Sequence, residues 1–157
     1  MKKKLTILGE IDNKVEMFFK TVDKKADNIL SKFHFISIFF LRASLGIAFI
    51  IHGFSKFPLP PQKFMEYFNF SPFLGSFVAI SELLAGILII LGGFLRSGLG
   101  NVVTRFSALV IVVIMIFAFS LAHKDWFITK ELFTSEQIFL IVIGLYFLIN
   151  GNQTTQR

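Results

Sequence analysis
The sequence predicts an all-α integral membrane protein: a four-helix transmembrane bundle with an N-terminal amphipathic helix. Three observations predict it. The chain of 157 residues is 54% hydrophobic with 22 Phe, and its mean hydropathy is +0.71. Its apolar residues gather into four Pro-free runs, roughly 35–55, 73–94, 102–122 and 136–150. A soluble domain would spread them by periodicity, whereas a hydrocarbon core about 30 Å thick asks for runs of about 20. The basic residues also alternate by loop. Lys2, Lys3, Lys4, Lys14, Lys20, Lys24, Lys25 and Lys32 precede the first run, and Arg96 and Arg105 flank the turn between the second and third. The bias of Lys and Arg toward the cytoplasm then places both termini there, in a multi-pass protein of the cell (inner) membrane.

Residues 1–34 form the N-terminal module. Leu8, Ile11, Val15, Phe18 or Phe19, Val22, Ala26, Ile29 and Phe33 recur at helical spacing, with Lys and acids between them. Such a helix lies on the cytoplasmic leaflet with its Lys residues near anionic headgroups, or docks a partner. The transmembrane domain follows over 35–151. Its first span ends near Lys56, because Pro58-Leu59-Pro60-Pro61 cannot continue a helix. Phe64–Phe70 reads as an interfacial aromatic stretch. The second span carries Gly75, Ala79, Glu82, Ala85 or Gly86, and Gly93 on one face, where small residues admit a neighbouring helix. The third places Asn101, Arg105, Ala108, Val112, Phe119 and His123 near one face. Trp126 and Phe127 then return to the interface, Thr134 or Ser135 caps the short fourth span, and Glu136 favours its dipole. Residues 152–157 form a polar cytoplasmic tail.

Composition removes several functions. Cys is absent, which excludes thiol redox chemistry, iron–sulfur clusters and Cys-based zinc sites. No third ligand joins any His pair, so no metal site is expected. The net charge of +6 reads as an orientation and headgroup signal, since no basic face with interleaved aromatics suggests nucleic acid. The first run starts too far from the N-terminus for a cleavable signal peptide.

Ionisable side chains inside the runs carry the functional signal, because a charge in a membrane is costly without a partner. Arg42, His52 and Lys56 share one face of the first span, with Glu82 on the second. At 1.5 Å per residue, Arg42 lies about 10 Å and Glu82 about 16 Å from the cytoplasmic side. An Arg42–Glu82 ion pair is therefore expected, whether as a fixed register contact or as part of a ligand site. His52, Lys56 and His123 end at the outer level and border an expected ligand pocket with Glu82 deeper. Asn101 and Arg105 are further polar lining. A b-type haem held by His52 and His123 is the disfavoured reading, since interfacial His residues are more often plain hydrogen-bonding groups. His34 is read as interfacial and idle.

Leu41-Arg42, Leu45-Gly46, Phe49, His52-Gly53 and Lys56, then Glu82-Leu83, Gly86, Leu91-Gly92 and Thr104-Arg105, resemble the DoxX/DoxD-like membrane protein family. Ala122-His123, Phe127, Glu136 and Asn150-Gly151 extend the resemblance, which covers about residues 36–151. Ala85-Gly86 stands where a Gly pair is expected, and a longer C-terminal extension is missing. The resemblance implies a four-helix membrane bundle, and an accessory subunit of a quinone-linked respiratory or detoxifying oxidoreductase. A quinone needs an apolar slot with a proton donor at each carbonyl. Arg42, His52, Glu82 and His123 offer such donors. No cofactor motif is evident in the chain itself, so a binding role is expected before a self-sufficient enzyme. The alternative is a scaffold or assembly subunit that docks through its N-terminal helix, within a membrane complex or a homo-oligomer.

Overall fold
A computed structural model describes the backbone of residues 2–95, 97–123, 125 and 129–152, with side chains described from Asp12 onward except Ser97. The elements are α1 (Lys2–Leu30), a 3-10 turn (Ser31–Phe33), α2 (His34–Phe54), α3 (Gln62–Phe68), α4 (Pro72–Phe94), α5 (Ser97–Ala122), α6 (Lys130–Thr134) and α7 (Glu136–Asn150). No strand occurs among the described residues. Two compact units are formed, Met1–Ile38 and Phe39–Arg157, with the boundary inside α2.

Three helical stretches are long and apolar enough to cross a membrane: Asp12–Phe54, Pro72–Phe94 and Gly98–Ala122. α7 has 15 residues and rises only about 22 Å, short of a hydrocarbon core. In the first unit, the exposed apolar side chains exceed the single stripe read from the sequence. Met17, Phe18 and Phe19 are all exposed, and three consecutive residues sweep about 200° of the helix circumference. α1 is thus more apolar around its circumference than an amphipathic helix requires. Only the 3-10 turn Ser31–Phe33 lies between it and α2.

Glycine sets the packing of the second unit. A Cβ at Gly86 would lie 2.6 Å from the Gly46 carbonyl oxygen, and one at Gly53 would lie 2.6 Å from the Leu83 nitrogen. α2 and α4 therefore touch backbone to backbone, as small residues allow in membranes. Gly92 brings α4 equally close to Thr104 of α5, and Gly144 of α7 meets Ile111 and Val112. The core between them is Leu45, Phe49, Ala79, Ile89, Ala108, Ile111, Met115 and Phe147. The small-residue face read on the second span is the buried face of α4 from Gly75 through Ala79, Glu82, Ala85 and Gly86 to Ile89. At its end Gly92 is buried and Gly93, expected there, is exposed, because the step of about 100° per residue carries Gly93 past the contact.

The connections follow local chemistry. Ser71 caps α4 by accepting the Leu74 N–H at 3.3 Å, with Pro72 in the first turn. Asn69 takes the left-handed conformation (φ 53°) that ends α3. Ser135 occupies the N-cap position of α7, but its hydroxyl donates to Leu132 O at 3.0 Å. Arg96, Trp126 and Phe127 lie outside the described residues.

Candidate functional site
Polar side chains meet in two clusters at opposite ends of the second unit. The register that the glycines impose decides which residues join each. With Gly46 against Gly86 and Gly53 against Leu83, Arg42 stands level with Ile89, while Glu82 stands level with the last turn of α2. Ile89 and Glu82 are seven residues apart, about 10 Å along the axis. The expected Arg42–Glu82 pair does not form. Glu82 pairs instead with Lys56, whose side chain reaches back along α2. The depth estimate failed because it measured each residue from an assumed span boundary, and the interhelical register is independent of those boundaries.

The Lys56 end is the charged one. Side chains of Lys56 and Glu82 are 13% and 10% exposed, so the pair is largely removed from solvent. Lys56 Nζ also donates to His52 O at 3.2 Å and stands 5.0 Å above the Phe64 ring. Phe64 is placed there by α3, which packs on α4 where Gly75 leaves room for Met65. Phe64, Phe68 and Phe70 form an aromatic group with centroids 5.0 to 5.7 Å apart. His52 Nε2 lies 3.1 Å from Glu136 Oε1 of α7. Glu136 thus binds a side chain on α2 as well as standing in the first turn of its own helix. His123, just past α5, is half-buried and engaged.

Among the described residues, the Arg42 end holds no charged group that bonds its arginines. Arg42 is 5% exposed. Its Nη1 donates to Ile89 O at 2.7 Å and to Thr104 Oγ1 at 2.9 Å. Its Nη2 donates to Asn152 Oδ1 at 2.8 Å, and its guanidinium sits 4.5 Å over the Phe147 ring. Asn152 follows α7 and joins the other three helices. Its Oδ1 also accepts from Thr104 at 2.6 Å, its Nδ2 donates to Gly92 O at 2.6 Å, and its backbone N–H donates to Asn101 Oδ1 at 3.1 Å. Gly151, at φ 61°, makes the turn that delivers it. Arg105 donates to Leu148 O at 3.2 Å and to Asn101 Oδ1 at 3.4 Å.

The DoxX family model matches residues 37–124, more than half of the chain and all of α4 and α5. The chain belongs to the DoxX family. No curated relative and no solved structure matches this DoxX-family protein. Within the matched region lie Arg42, His52, Lys56, Glu82, Asn101, Thr104, Arg105 and His123. Glu136 and Asn152 lie beyond it, yet each completes one cluster of the DoxX-family chain.

Sequence reasoning grouped His52, Lys56 and His123 with Glu82 deeper; the structure pairs Lys56 with Glu82 and sets Lys56 Nζ against His52 O. It separates Arg42 from them and links it through Asn152 to Asn101, which accepts from Arg105. Asn152, Thr104 and Phe64 were not singled out as site residues. Asn150-Gly151-Asn152 offered one signal, a helix stop with an amide beyond it, but nothing local shows that the amide folds back onto three other helices.

Proposed function
We propose that this DoxX-family protein is an integral membrane subunit accessory to a quinone-linked respiratory or detoxifying oxidoreductase. It binds a small apolar ligand such as a quinone at the Lys56 end. The observation that carries this reading is the Lys56–Glu82 pair, sheltered among helices and covered by Phe64. A buried ion pair is weak evidence for stability, since apolar residues of similar volume often serve as well. Retained inside a membrane domain, it points to use. Lys56 supplies an N–H donor for a carbonyl oxygen, Glu82 supplies a proton acceptor beside it, and the Phe side chains supply an apolar wall. Haem ligation by His52 would have to displace its contact with Glu136, which favours the quinone.

We further propose that α2, α4, α5 and α7 are the four transmembrane helices, with α6 helping the short α7 to span. Both termini are cytoplasmic in the inner membrane, and the Lys56 end faces outward. The Lys distribution supports this orientation.

Solvent extraction of the protein purified in mild detergent should recover quinone, and oxidoreductase subunits should co-purify. The double variant Lys56→Met, Glu82→Leu removes the pair without stranding a charge, so it should fold and lose the quinone. A folded double variant with a wild-type quinone content defeats the reading. A Soret band lost with His52→Ala would replace quinone by haem. The second reading, a scaffold docking through α1, draws on the exposed Phe18, Phe19, Val22 and Ile29. It predicts partner loss on deleting residues 1–30, with the Lys56–Glu82 pair dispensable.

A further inference from the structure
We infer that the Arg42 end of the bundle binds a tetrahedral oxyanion, a phosphate group, between Arg42 and Arg105. This site stands apart from the ligand reading above: Arg42 lies twelve residues, about 18 Å, from the end of α2 at Phe54, and Lys56 lies just beyond that end.

Charge balance separates the two ends. The ion pairs among the described residues are Lys20–Glu16, His52–Glu136 and Lys56–Glu82. Neither arginine joins one. Arg42 gives its N–H groups to Ile89 O, Thr104 Oγ1 and Asn152 Oδ1, and Arg105 gives its own to Asn101 Oδ1 and Leu148 O. Every acceptor is neutral. Two guanidinium groups, one of them 5% exposed, thus share a cluster that holds no carboxylate among the described residues. Burial of cations in this way is unfavourable unless an anion balances them.

The geometry suits an oxyanion. Each guanidinium carries five N–H donors in a fixed fork that matches phosphate. The bonds to described residues use three donors of Arg42 and two of Arg105, so among the described residues donors remain on both. Asn152 and Asn101 hold the two side chains in place. The nearby start of α5 adds the positive end of a 26-residue helix. Arg42 is nearly enclosed, so an anion would approach from the side of Arg105, which is half-buried. α4 ends, α5 begins and α7 ends at this level, so on the membrane placement proposed above the headgroups of a surrounding bilayer would lie there. A phospholipid headgroup and free phosphate offer the same chemistry there.

Thermal unfolding of the full chain tests the site in two arms. In detergent, inorganic phosphate is compared with chloride at equal ionic strength. In nanodiscs, phosphatidylglycerol mixed with phosphatidylcholine is compared with phosphatidylcholine alone. A rise in Tm is expected in at least one arm. A rise with inorganic phosphate assigns the site to a free oxyanion, and a rise with phosphatidylglycerol alone assigns it to a headgroup. Arg105→Gln should abolish the rise, and Lys24→Gln with Lys25→Gln on α1 should leave it. No rise in either arm, an equal rise in Arg105→Gln, or its loss with the Lys pair overturns the proposal. Native mass spectra of the wild-type chain serve if Arg105→Gln fails to fold. Preferential retention of phosphatidylglycerol, or a phosphate adduct, is then expected. Equal retention of both lipids with no phosphate adduct overturns it.

Discussion
Asn150 and Asn152 show how much two residues of one kind can differ. Asn150 Nδ2 donates to Tyr146 O in its own helix, at an exposed position. Asn152 bonds Arg42, Thr104 and Gly92 O on three other helices. Asn152→Ala should therefore cost about 2–3 kcal/mol, the scale of leaving buried partners unsatisfied, one of them charged. Asn150→Ala should stay within about 0.5 kcal/mol. Reversible unfolding in mixed micelles would measure both, and equal effects would refute the role given to Asn152. Lys56 follows a related rule. Lys56→Met strands Glu82 away from solvent and should cost about 3 kcal/mol, while adding Glu82→Leu should restore most of it. A double variant no more stable than Lys56→Met alone would show that the pair is not an isolated unit.

For the helices, backbone approach matters more than apolar content. Gly46, Gly53 and Gly86 have no space for a side chain between α2 and α4. Gly86→Leu should separate those helices and shift Glu82 from Lys56, lowering Tm by many degrees. Gly98→Ala meets nothing within 4 Å and replaces a poor helix former, so stability should hold or rise by up to about 1 kcal/mol. A well-folded Gly86→Leu variant would contradict the close contact. The small-residue face of α4 was readable in the sequence because one helix alone defines it. Its partner face on α2, centred on Gly46 and Gly53, becomes a packing surface only when the two helices are brought together.

Within the second unit, among the described residues, one polar cluster holds the Lys56–Glu82 ion pair and the other holds arginines without a carboxylate. The membrane orientation proposed above sets the balanced Lys56 end outside. A cysteine at Gln62 on α3 should then react with an impermeant maleimide in intact cells, and one at Gly98 on α5 should not. The opposite labelling pattern would invert the molecule and exchange the compartments of the two clusters.

Hydropathy, Lys distribution and the absence of Cys were enough to predict a helical membrane protein and to exclude thiol chemistry, because each depends on composition or on one helix at a time. His52, Lys56 and Glu82 could be singled out for the same reason: an ionisable group in an apolar run is conspicuous in one dimension. Which cation meets Glu82 was not legible there. That choice depends on the relative translation of α2 and α4, where a shift of two turns exchanges Arg42 for Lys56. Glycine contacts between backbones fix that translation. Only the tertiary structure could also bring Glu136 to His52 and Asn152 to Arg42, since chain closure between residues 84 and 110 positions apart leaves no local signature.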